Sequence, residues 1–130
     1  MRALLDTHVW LWMLAAPERL GNVRPLLEDA GNELLLSAVS SWEITVKHAL
    51  GRLPLPAPPR VFVPDRMRVT GVAPLAVEHA HVMALDDLPR LHRDPFDRML
   101  VAQARHLGIP IVTADPLVAA YDVATVLIER

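Results

Sequence analysis

The chain has 130 residues, 52% of them hydrophobic, with a net charge of −2 and no cysteine. That length and apolar content predict one domain, residues 1–130, with a core of its own, and the missing thiols exclude disulfide staples and thiolate metal sites. No apolar run approaches the roughly 20 residues of a membrane span, and Asp6 interrupts the opening MRALLDTH too early for a signal core, so a cytoplasmic protein is expected.

RALLDT reads as a short buried strand ending at Asp6. HVWLWMLAAPERL is helical as far as Pro17, and GNVRPLLEDAGN is a second helical piece closed by Gly31 and Asn32. ELLLSA has the length and continuous apolarity of a buried strand. SSWEITVKHALGRL follows as a helix, with Ser40 or Ser41 as its cap, Trp42, Val46 and Ala49 along one stripe, and Gly51 near its end. The proline-dense PLPAPPRVFVPD is expected to be loop or polyproline-like, a stiff connector or the wall of a surface groove for a partner. GVAPLA is a short strand, VEHAHVMALDDLP a helix ending at Pro89, DPFDRMLVAQARHLG a helix, and IPIVTAD and ATVLIE the last strands. Trp10, Trp12 and Trp42 lie in apolar runs and are assigned to the core, while His79 and His81, two apart, are assigned to an exposed helix surface.

Short apolar strands alternating with helices define an α/β fold with a mostly parallel sheet, in which ligands bind beyond the strands' carboxyl ends. Asp6 and Asp115 each follow such a strand. Either alone is accounted for as a helix cap; together they point to a site. Glu43 opens the helix after ELLLSA, where it serves either that site or a capping box with Ser40. In DPFD, Asp94 fits the cap, Pro95 the first helical position and Asp97 the third, so Asp97 is the better candidate for chemistry. Carboxylates gathered on one edge repel, and Asp6, Glu43 and Asp115 have no base beside them in sequence. A hard divalent cation, Mg²⁺ or Mn²⁺, is the simpler compensation, and zinc is disfavoured by the scattered histidines. Lys47, Arg93 and Arg98 are candidates for contacting phosphate, with solvated helix charges as the alternative.

LLDTHVWLW, SSWEITVKHALGRL, DPFDRMLVAQA and IPIVTAD, in this order over nearly the whole chain, resemble the PIN-domain ribonucleases, most closely the VapC-type toxins of toxin–antitoxin pairs. The resemblance implies a three-layer α/β/α sandwich, an acidic quartet of Asp6, Glu43, Asp97 and Asp115, and metal held by Asp6, Asp97 and Asp115. It also implies assisting roles for Thr7 and Thr113, with Asp94 left as a cap or outer acid. The implied activity is Mg²⁺- or Mn²⁺-dependent endonucleolytic cleavage of RNA, and the implied partners are a cognate antitoxin and a second copy of the chain. A catalytically silent PIN-fold binding module is the alternative. Two other acid-at-sheet-edge classes fit less well. A phosphoacceptor signalling domain needs a lysine after a late strand, and the one lysine is Lys47. A haloacid-dehalogenase-type phosphatase needs an Asp two residues after the first, where His8 stands.

Overall fold

A computed structural model describes residues 1–129. Five strands, β1 (Arg2–Leu5), β2 (Glu33–Ser37), β3 (Ala73–Leu75), β4 (Ile111–Thr113) and β5 (Thr125–Leu127), form one sheet in the order β3-β2-β1-β4-β5. Every pairing is parallel, with Leu4 of β1 facing Leu35 on one side and Ile111 on the other. The helices are α1 (Thr7–Ala15), α2 (Arg24–Glu28), α3 (Ala38–Ala49), α4 (Pro59–Thr70), α5 (His79–Met83), α6 (Pro95–Leu107) and α7 (Pro116–Ala119), with 3-10 turns over Pro17–Val23 and Ala84–Asp87.

Alternation along the strands sorts the core into two layers. Ala3, Leu5, Leu34, Leu36 and Val112 face one way and pack with Val9, Trp10, Leu27 and Val63 of α1, α2 and α4. Leu4, Leu35 and Ile111 face the other way, against Val39 of α3, Leu100, Val101 and Ala104 of α6, and Val118 of α7. This is the expected three-layer sandwich, and its sheet is wholly parallel. From β1 the chain winds outward through β2 to β3, then resumes on β1's other side with β4 and β5, so β1 and β4 flank the topological switch point.

Four local expectations differ from the structure. The proline-dense segment is extended only to Pro58; Pro59 then sits in the first turn of α4, where a missing N–H costs nothing, and Pro58 O accepts the first amides, Val61 N and Phe62 N. Pro64 removes one interior hydrogen bond, but burial of Val63 and the contact of Phe62 with Trp10, ring centroids 6.5 Å apart, hold the helix. The cap of α3 is Ser37, whose hydroxyl accepts from Val39 N, so Ser40 and Glu43 lie inside the helix and form no capping box. The buried stripe of α3 is Val39, Ser40, Glu43 and Ile44; Trp42 is exposed rather than core, and Trp12 only half-buried, while Trp10 is buried as expected. His81 is buried, not exposed: its Nδ1 accepts from Glu78 N and lies 3.2 Å from Gln103 Nε2. No helix among the described residues is long and apolar enough to cross a membrane.

Candidate active site

The carboxyl edge of the sheet delivers side chains from three directions. β1 ends in Asp6, which has no exposed surface. Asp6 occupies the cap position of α1 with an extended backbone, yet its side chain makes no capping bond to that helix. Thr113, at the end of β4, donates its hydroxyl to Asp6 Oδ2 at 2.7 Å and accepts from Asp115 N at 3.0 Å, tying the two acids together. His8 Nε2 stands 3.5 Å from the same Asp6 oxygen. Asp6 Oδ1 is the one buried side-chain nitrogen or oxygen among the described residues without a hydrogen-bond partner.

α3 supplies Glu43, also buried. Thr7 donates to Glu43 Oε1 at 2.7 Å and lies 2.8 Å from Ser40 Oγ, and Lys47, one turn further along, donates to Glu43 Oε2. The register of α3 is pinned from beneath: Ser37 Oγ donates to the fully buried Gln103 Oε1 at 2.6 Å, and Gln103 Nε2 donates to Ala76 O. Gln103 thus braces the start of α3 against α6, whose first turn carries Asp97.

Asp94 caps α6 by accepting from Phe96 N and Asp97 N, as its position in DPFD predicts. Asp97 is buried beside it. His92 Nε2 lies 3.0 Å from Asp97 Oδ2 and 2.9 Å from Asp115 Oδ2, while Asp94 N donates to His92 Nδ1 at 3.2 Å. An amide donor at Nδ1 leaves the ring's proton on Nε2, where it serves the two carboxylates. His92 is a site residue that the sequence does not reveal: histidine spacing along one helix does not find it, because it reaches the site from a loop. Its one available signal is a place two residues before the α6 cap.

The electrostatics follow from burial and crowding. Burial raises the Asp6 carboxyl above its ordinary range, with the charge of Glu43 adding to the effect and His8 and Thr113 opposing it. Asp97 is pushed up to about 7 by burial and by the charges of Asp6, Asp94 and Glu43, against the pull of His92. For Lys47, partial burial works against the ammonium, but the hydrogen bond and charge of Glu43, with the charges of Asp94 and Asp97, outweigh it and hold its proton on. Asp6, Glu43 and Asp115 therefore do have bases near them, in His8, Lys47 and His92, contrary to the expectation from sequence neighbours; none of these reaches Asp6 Oδ1.

A divalent cation fits this arrangement. Asp6 offers an unpartnered buried oxygen, and carboxylate oxygens of Asp97 and Asp115, bridged by His92, lie within 4.8 Å of one another. With His92 Nε2 carrying a proton, the donors are oxygens, the set suited to Mg²⁺ or Mn²⁺. Of the expected phosphate contacts, Arg93 is exposed and borders a cavity of about 400 Å³ with Arg90, His92 and Arg98. Arg98 is turned to the loop above α6, donating to Pro89 O, Leu88 O and the Tyr121 hydroxyl.

A wholly parallel α/β domain with buried carboxylates gathered at its switch point is the class of protein that fold and site define. The chain belongs to the PIN domain family, whose description matches residues 3–124. It is 30% identical to Ribonuclease VapC22 of Mycobacterium tuberculosis over 86% of this chain and 85% of that protein. It is 47% identical to Ribonuclease VapC16 of the same organism, over 51% of this chain and 47% of that protein, so it spans about half the length of that relative. The fold is similar to the crystal structure of VapBC2 from Rickettsia felis bound to a DNA fragment from their promoter, with a TM-score of 0.71, 11% identity and coverage of 99% of this chain and 100% of that one.

Proposed function

We propose that the chain is a divalent-metal-dependent endoribonuclease of the VapC type, the toxin of a toxin–antitoxin pair, working in the cytoplasm with a cognate antitoxin and a second copy of itself. The observation that carries this reading is the buried carboxylate cluster with one unpartnered oxygen on Asp6. The names of the two ribonuclease relatives supply the substrate class, RNA.

In this reading Asp6, Asp97 and Asp115 hold Mg²⁺ or Mn²⁺, and Glu43 completes the catalytic quartet. The ion, when bound, lowers the pKa of water and offsets charge on the phosphate oxygens. Thr113 fixes the Asp6 carboxylate by its hydroxyl, and Thr7 and Lys47 fix both oxygens of Glu43, so neither acid has to reorient during the reaction. His92 spans Asp97 and Asp115 and keeps them apart at a set distance, while Asp94 holds the first turn of α6. Lys47 and Arg93 meet phosphates on either side of the cleft. Arg98 shapes the loop and contributes its charge from behind.

The test is end-sequencing of RNA after incubation with purified protein. Discrete cuts with 5′-phosphate and 3′-hydroxyl ends, dependent on Mn²⁺ or Mg²⁺ and lost on chelation and in Asp6→Asn, are expected. RNA that stays intact with the wild type under every metal condition would leave the silent binding module as the better reading.

A further inference from the structure

Trp42 is the one exposed aromatic side chain among the described residues, at 59%. It directly precedes Glu43 on α3, and its ring meets that of Phe96, which directly precedes Asp97 on α6. The ring centroids are 4.8 Å apart at an interplanar angle of 77°, an edge-to-face pair. Phe96 is half-buried and packs on the α6 core, so it anchors the indole from below. Trp42 and Phe96 each stand one residue before a buried acid, so the aromatic pair marks the outer side of the two helix turns that carry Glu43 and Asp97. A surface tryptophan held at a fixed angle by a half-buried phenylalanine has been oriented without being covered.

We propose that Trp42, buttressed by Phe96, is the stacking platform for one unpaired nucleobase of the RNA, beside the phosphodiester that is cut. The proposal rests on the nuclease reading above. The occupant follows from what surrounds the ring. A phosphodiester would meet an ion held by the acids, and Lys47 on the same helix and Arg93 in the loop before α6 bring positive charge to a polyanion. Every nucleobase offers a π face, whereas a duplex keeps its bases stacked on one another, so the platform selects single-stranded or looped substrate.

The experiment compares the wild type, W42A and W42F on a single-stranded ribo-oligonucleotide and on versions carrying one abasic residue at successive positions around the cut. Sedimentation is run at the assay concentration. W42A is expected to raise KM about tenfold with kcat within about twofold, since stacking on an aromatic is sequence-tolerant binding of that order. W42F recovers most of the loss. One abasic position raises the wild-type KM by a similar factor and adds nothing further in W42A. In the Asp6→Asn background, uncleaved oligonucleotide quenches indole emission, and adding W42F removes that quench. Equal KM for wild type and W42A, or abasic penalties as large in W42A as in the wild type, would overturn the platform while leaving the nuclease reading intact. So would a W42A that changes from dimer to monomer, because the indole would then belong to a self-contact. A wild type that cleaves no RNA would bring down the functional reading, and this proposal with it.

Discussion

The helices that follow β1 and β4 begin alike and are finished differently. Each strand ends, an Asp takes an extended backbone, and a helix starts. Asp115 does the ordinary work of that position: its Oδ1 accepts from Leu117 N, its Oδ2 faces His92, and it keeps partial solvent access. Asp6 does none of it: it is sealed from solvent, leaves its helix uncapped and keeps one oxygen without a partner. An uncompensated carboxylate oxygen in the interior is costly, and a protein retains one where something else supplies the compensation. The contrast separates an acid that the fold uses from an acid that the fold tolerates.

The largest effect expected from that contrast is at Asp6. Asp6→Asn should lower RNA cleavage at least about a thousandfold, equivalent to about 4 kcal/mol, while the metal-free protein melts no lower than the wild type because one of several repelling charges is gone. Paired cleavage assays and thermal melts check this; an active Asp6→Asn, or one that melts far lower, would make Asp6 an ordinary structural acid.

Asp97 comes next. Its folded carboxyl titrates near 7 against 3.8 for an ordinary Asp, so between those values the folded protein keeps a proton that the unfolded chain has lost. Stability therefore falls as pH rises from about 4 to 7, by about 2 kcal/mol once solvent screening in the cleft is allowed for. Metal-free denaturant melts across that window should show the slope, and Asp97→Asn should flatten it. A wild-type stability that rises across the window would reverse the assignment.

At Asp115 the two duties are separable. Asp115→Ser keeps an oxygen for Leu117 N but withdraws the group facing His92. α7 should persist by circular dichroism and cleavage should fall by less than in Asp6→Asn, because Asp6 and Asp97 remain to hold the ion. A loss as complete as that of Asp6→Asn would erase the difference between the two strand ends.

The sheet was legible because its strands are short, apolar and bounded, and the acids were legible because a parallel sheet sends every strand's end to one edge. The parts that were not legible depend on partners distant in sequence. Glu43 looked like half of a capping box with Ser40; only the pairing of β2 beside β1 sets Thr7 against it, 36 residues away. His92 has no periodic pattern to betray it, and its partners at 97 and 115 converge only after α6 and β4 have packed. α4 is hidden by the rule that proline breaks helices, which does not apply at the first turn, where Pro59 sits, and which the packing of Phe62 and Val63 outweighs at Pro64. The helix of His81 alone does not show its burial, because the side chain it meets, Gln103, comes from α6.

The smallest expected effect is at Asp94, which sharpens the comparison from the other side. Asp94 is a complete cap: one oxygen accepts both Phe96 N and Asp97 N, and its own N–H fixes the His92 ring. The amide survives any side-chain change, so the ring's orientation does not depend on the carboxylate. Serine caps a helix about as well as aspartate, and Asp94→Ser should shift stability by less than about 0.5 kcal/mol, whereas Asp94→Ala should cost about 1 kcal/mol. Removing the charge also relieves one of the influences that raise Asp97, so the pH-dependent loss of stability should move to slightly lower pH in the serine variant. Cleavage should stay within about threefold of the wild type, a change below about 0.7 kcal/mol. A serine variant as inactive as Asp6→Asn would place Asp94 among the acids that the fold tolerates rather than those it uses.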